Sequence, residues 1–199
     1  MSPLVAQVNL DSLYRVSTDE QAEAGDRAEA LDALAFFYQE RKPDSARLLA
    51  NELYAFGETH GDRQAMAKAL GHQGRYRAQK GNYEQAEGLY QQAINIWREV
   101  KDPKGLSKVF GKLGIMYYLK GDYKQALSYF HQNLALSDSL GDQKEAAGML
   151  LNLGGIHTQQ GNYELALEYF KKSLAHFEKL GAAGWISTPK ISDTRIWTK

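Results

Sequence analysis

The sequence has 199 residues and 22.3 kDa, with 24 basic and 24 acidic side chains that cancel and 43% hydrophobic residues. This composition excludes a disordered polyelectrolyte. The lack of an 18-residue apolar run excludes a transmembrane helix in this chain, and the absence of cysteine excludes disulfide frameworks, thiolate metal sites and cysteine nucleophiles.

In chain order, residues 1–21 form an N-terminal segment outside any register. Within it, the stretch from Asn9 to Tyr14 is expected to start a short helix that covers the first repeat. The opening Ser2 to Gln7 is similar to the tail of a secretory signal, but no basic region or long apolar stretch precedes it. The expectation is a cytoplasmic chain as printed, or a periplasmic or envelope one if a signal peptide lies upstream of Met1.

From residue 61 the chain repeats every 40 residues. Gly81-Asn82-Tyr83, Gly121-Asp122-Tyr123 and Gly161-Asn162-Tyr163 share this spacing, as do Gly74, Gly114 and Gly154, Ala86, Ala126 and Ala166, and Tyr90, Phe130 and Phe170. Residues 101–140 and 141–180 are identical at 13 positions. These spacings delimit repeats at 61–100, 101–140 and 141–181. Residues 22–60 read as a degenerate copy, with Ala46 in register, Pro43 in place of Tyr83 and Leu34 in place of Gly74.

Each half-period predicts an amphipathic helix, as in Leu106, Val109, Phe110, Leu113, Met116 and Tyr117. Glycine supplies the left-handed stop, and the Asp or Asn that follows supplies an N-cap. Asn82 with Gln85 and Asp122 with Gln125 have capping-box spacing. The expectation is about eight antiparallel helices of about 18 residues each. The mid-helix glycines and alanines would let partner backbones approach closely, with Tyr117, Tyr123 and Phe130 filling the space beside the crossing. Residues 182–199 lose the period and read as an irregular tail. The helix at 162–180, apolar around much of its circumference, needs a cover: the tail, a second copy of the chain, or further repeats.

The pattern Leu113-Gly114, Tyr117, Gly121, Tyr123, Ala126, Phe130, with its counterpart Leu153-Gly154, Gly161, Tyr163, Ala166, Phe170, resembles the tetratricopeptide repeat. The 40-residue period is similar to the longer subclass found in bacterial signalling proteins. The resemblance implies an all-α, right-handed superhelical solenoid of antiparallel helix pairs. It also implies a scaffold that binds protein or peptide segments in a concave groove lined by the first helix of each pair. Carried over by register, the groove positions are Lys68, His72, Arg75 and Gln79, then Lys108, Lys112, Ile115 and Tyr118, then Asn152, Thr158 and Gln159. The subclass's usual asparagines before Leu-Gly are reduced to Asn152, with Lys112 and His72 in the equivalent places.

No catalytic motif, cofactor motif or metal-ligand spacing occurs among the residues, so neither an enzyme nor a cofactor is expected. Of the five histidines, His131 and His176 read as surface residues and His157 as facing the helix-pair interior. Residues 1–60 hold 5 basic and 11 acidic side chains, and residues 61–120 hold 11 and 5. The basic centre suggests an acidic peptide or another anion as ligand. The zero overall charge, without a basic stripe interleaved with aromatics, argues against nucleic acid. Two further readings stay open. One is a sensory or dimerisation module of a truncated envelope signalling protein of histidine kinase or nucleotide cyclase type. The other is a homo-oligomer formed through residues 162–180.

Overall fold

The structure, a computed structural model, describes residues 10–181. The described residues form nine helices and no strand. They are α1 (Leu10–Thr18), α2 (Ala24–Tyr38), α3 (Pro43–His60), α4 (Arg63–Gln79), α5 (Tyr83–Glu99), α6 (Pro103–Lys120), α7 (Tyr123–Ser139), α8 (Gln143–Gln159) and α9 (Tyr163–Lys179). The expected short N-terminal helix is α1, and it packs on α2. The tail at 182–199 lies outside the described residues.

The helix boundaries come from the repeated stop. Gly61, Gly81, Gly121, Gly141, Gly161 and Gly181 all have φ between 66° and 84°, the left-handed region that L side chains avoid. Lys101 occupies the same place in its repeat at φ 55° and, among the described residues, is the one non-glycine residue with positive φ. From Gly61 to Gly161, each stop lets the next helix start within two residues.

The starts differ from the expectation in one respect. Asp62 Oδ1 accepts from the Ala65 amide at 2.9 Å, Asp102 from Lys104 and Gly105, Asp122 from Gln125 at 3.1 Å and Asp142 from Glu145 at 3.0 Å. Asn82 and Asn162 make no side-chain cap bond. An aspartate offers two equivalent oxygens and a full negative charge to the positive end of the helix dipole, whereas asparagine offers one neutral oxygen. The reading of Asn82 and Gln85 as a capping box is therefore corrected.

The chain divides into two compact units, Met1–Tyr129 and Phe130–Lys199. In the first unit, consecutive helices from α1 to α6 pack on one another, and the first helices of successive pairs, α2, α4 and α6, also touch. A layer of Ala28, Leu31, Leu53, Ala65 and Ala69 joins α2, α3 and α4, with Leu49, Tyr54 and Phe56 against it. Tyr90, Trp97, Leu113 and Met116 are buried further along. In the second unit α8 packs along α9, with Ala146, Ala147, Leu150, Leu153, Ile156 and Ala166 buried.

The mid-helix glycines work as expected. A Cβ on Gly74 would sit 2.8 Å from the Tyr90 ring, and one on Gly154 would sit 2.5 Å from Phe170. The aromatic side chain of the second helix lies directly on the bare backbone of the first. Gly105 does the same for Trp97, where an added Cβ would come within 2.4 Å of the indole.

Candidate functional site

The sequence-derived positions in the first unit lie on α4 and α6, and their setting follows from the contact of α4 with α2. His72 is 6% exposed, and its Nε2 lies 2.7 Å from Asp32 Oδ1. Lys68 Nζ is 3.6 Å from the other oxygen of Asp32. One turn further along, Arg75 pairs with Glu40, and the Gln79 amide reaches the Gln39 carbonyl at 3.3 Å and Glu40 at 3.4 Å. The α4 cations therefore do not stand alone: Asp32 and Glu40 of the acidic first helix pair face them.

Burial works against the Asp32 charge, but the His72 hydrogen bond and the nearby Lys68 and Lys112 outweigh it and hold the carboxyl at about 2. Burial, helped by Lys112, holds the His72 imidazole below its ordinary value although Asp32 pulls the other way. At neutral pH the pair is an ionised carboxylate accepting from a neutral imidazole, with the proton on Nε2. This tautomer leaves the buried His72 Nδ1 as a lone-pair acceptor, and it has no hydrogen-bond partner.

On α6, Lys108 is exposed, while Lys112, Ile115 and Tyr118 are half-buried. The Lys112 ammonium crosses toward α4, where it fills the space a Cβ on Gly71 would need. The Tyr118 ring rests against Tyr123 at 5.7 Å between centroids. The spacing of Lys108, Lys112 and Ile115 puts them on one helix face, with Tyr118 at its edge.

In the second unit, Asn152 is half-buried on α8, and Thr158 and Gln159 are exposed. The Thr158 hydroxyl donates to the Gly154 carbonyl of its own helix at 2.9 Å. His131 is exposed, as the sequence suggested, whereas His176 is half-buried. His157 stacks on Tyr169, with centroids 5.4 Å apart and the rings nearly parallel. Burial and the neighbouring His157 lower the His131 pKa. His131, Leu134, Asp138, Leu150, Tyr169, Lys172 and His176 line a cavity of ≈ 350 Å³. Among the described residues, no group of three or more His, Asp or Glu side chains is placed to hold a metal ion, and no helix is long and apolar enough to cross a membrane.

Sequence reading missed Asp32 and Glu40. The signal for Asp32 was present: it stands one 40-residue period before His72 and two before Lys112. It also missed a buried polar line in the second unit. There Asn133 donates to Glu145 at 2.9 Å, Ser137 donates to Asn133 at 2.8 Å, and Ser173 donates to the Ala147 carbonyl at 2.9 Å. Asn133 and Ser173 stand one 40-residue period apart, but the equivalents of Asn133 and Ser137 in the first unit are Ala93 and Trp97, so the register alone does not single out a polar line.

Comparison with known proteins places this geometry. No curated protein sequence matches significantly. Solved structures do. BtubC from P. vanneervenii superposes with a TM-score of 0.64 at 18% identity, over 86% of this chain and 71% of that one. A signal transduction ATPase with numerous domains from Pyrococcus horikoshii, with a tetratricopeptide repeat sensor, gives 0.64 at 21% identity, over 84% of this chain and 26% of that one. A kinesin light chain-type array of nearly identical repeats from Podosopora anserina gives 0.57 at 15% identity, over 87% of this chain and 86% of that one. At these identities the likeness is one of fold, an all-α helical repeat solenoid. A family model described as tetratricopeptide repeat matches residues 65–139 and again 105–179. With more than half of its sequence matched and the glycine-on-aromatic crossings in place, the chain belongs to the tetratricopeptide repeat family.

Proposed function

We propose that this chain, whose family fold is that of a protein-interaction scaffold, acts as a non-catalytic scaffold that holds an acidic protein or peptide segment against the first helices of its repeats, with α6 making the main contact. The observation that carries this reading is the face of α6, where exposed Lys108 stands beside half-buried Lys112, Ile115 and Tyr118. Lys68, His72 and Arg75 on α4 face Asp32 and Glu40, and Lys112 also lies near Asp32, so a ligand carboxylate meets exposed Lys108 on α6, with Ile115 and Tyr118 as the apolar anchor. Helices held by packed crossings lose little freedom when a segment docks, so less of the contact energy is spent on ordering the receptor.

The test uses dye-labelled hexaglutamate, hexaglutamine and hexalysine peptides in fluorescence anisotropy. Hexaglutamate should bind best, and Lys108→Glu with Lys112→Glu should weaken it at least tenfold. Unchanged affinity in the double variant, or equal binding of hexalysine, would refute the proposal. A second reading, a sensory module of a larger signalling protein, draws on the likeness to the ATPase whose repeats are a sensor. An in-frame signal segment upstream in the genomic DNA, with a signalling domain downstream, would favour it.

A further inference from the structure

The helix α9 carries an apolar seam that the described residues leave open. Tyr163, Leu167, Phe170 and Leu174 follow one another at steps of four, three and four residues, the spacing of a coiled-coil contact line. They are 66%, 53%, 37% and 44% exposed. The same register on α5 holds Tyr90 and Ile94 at the places of Phe170 and Leu174, and there they are 1% and 3% exposed, with α6 packed along α5. At the places of Tyr163 and Leu167 the same register holds half-buried Tyr83 and exposed Glu87. The Phe170 and Leu174 positions are therefore ones that receive a helix on α5, Leu167 extends the apolar line where α5 has a charge, and among the described residues no helix follows α9.

The flanks of the seam are unequal. On one side Ala166 and Ser173 are buried, and Ser173 is bonded to the α8 backbone. On the other side Glu164 and Lys171 are exposed, seven residues apart and opposite in charge. A second α9 running antiparallel across a twofold axis sets Leu167 against the partner's Phe170 and Tyr163 against the partner's Leu174. The same alignment brings Glu164 beside the partner's Lys171, and the symmetry makes that pair twice. A parallel alignment instead faces each open flank toward the side that α8 already covers, and no charge pair forms.

We propose that the seam on α9 is the interface of an antiparallel homodimer, its register set by Glu164 against the partner's Lys171. The occupant is a second copy because one helix supplies both the apolar line and the two charges that complement it.

Sedimentation equilibrium of the full chain from 5 to 200 μM tests this. The expected result is a concentration-dependent shift from the 22.3 kDa chain to twice that mass. Leu167→Glu should leave a monomer throughout the range, with unchanged far-UV circular dichroism. Glu164→Lys and Lys171→Glu should each weaken the dimer about tenfold, because each turns two attractive contacts into two repulsive ones. The combined variant should return to within about threefold of the parent. A parent that stays monomeric at 200 μM overturns the proposal and leaves the seam to residues 182–199 or to a different protein. A dimer indifferent to Leu167→Glu overturns the seam. If that variant loses helicity, the three charge variants decide alone, and failure of the double swap to restore association overturns the antiparallel register.

Discussion

Lys101 holds a left-handed backbone at φ 55° where five other interhelix stops and the last described residue use glycine. A Cβ in that conformation crowds the following carbonyl at a cost of about 1 kcal/mol. Lys101→Gly should therefore raise the melting temperature by about 2–4 °C, read by calorimetry. The packing glycines give the opposite result, and unequally. Gly74→Ala drives a methyl into Tyr90, which is 1% exposed and has nowhere to move, so a loss of about 1–3 kcal/mol is expected in urea denaturation. At Gly154 the obstructing Phe170 ring is 37% exposed in the single chain and, at concentrations where the chain is monomeric, can swing aside. Alanine's helix preference of about 1 kcal/mol over glycine then offsets most of the strain, and Gly154→Ala should be near neutral. Equal losses at the two sites would show that ring freedom does not decide the cost.

At the scale of the helix, Asp32 and His72 tie the first helices of two repeats together through a part-buried contact. Both groups have a lowered pKa in the folded state, so both make stability rise with pH. The Asp32 contribution is complete above its ordinary value of 3.8 and is lost as pH falls toward about 2. The His72 contribution is complete above its ordinary 6.5 and begins to fade below it. Asp32→Asn should cost about 2 kcal/mol at pH 7 in urea denaturation, and the deficit should shrink as both proteins are acidified toward pH 2. A deficit independent of pH would mean that the carboxylate's charge plays no part. Helix positions were legible in the sequence because each stop, start and close crossing is a local event repeated every 40 residues. The asparagine caps were misread because the backbone needs an N-cap residue without dictating that its side chain closes the bond. Asp32 and Glu40 escaped notice because the first pair is degenerate, and a pairing across helices depends on which side chains the packing aims at each other.

For the molecule, part of the charge cancellation is local to neighbouring segments of the first unit. Asp32 with Lys68 and His72, Glu40 with Arg75, and Arg63 with Glu99 match acids of one helix to bases of another. The α4 positions could be placed by register but their partners could not, so a basic centre in the sequence becomes on α4 a surface already matched by Asp32 and Glu40. This shifts the expected ligand contact toward α6 and makes salt a discriminating variable. If an acidic segment binds there, its affinity should fall as salt rises while the melting temperature hardly moves, because exposed pairs contribute little to folding. The interhelix glycines carry a consequence of another kind. At Gly61, Gly81, Gly121, Gly141 and Gly161 an added side-chain atom would meet nothing within 4 Å. The chain is thus punctuated about every twenty residues by hinges with open space around them. Foreign sequence spliced in at such a hinge disturbs no packed layer, and each doubling of its length adds only about 0.6 kcal/mol of closure entropy, so the fold is open to insertion at the joints that define its repeats.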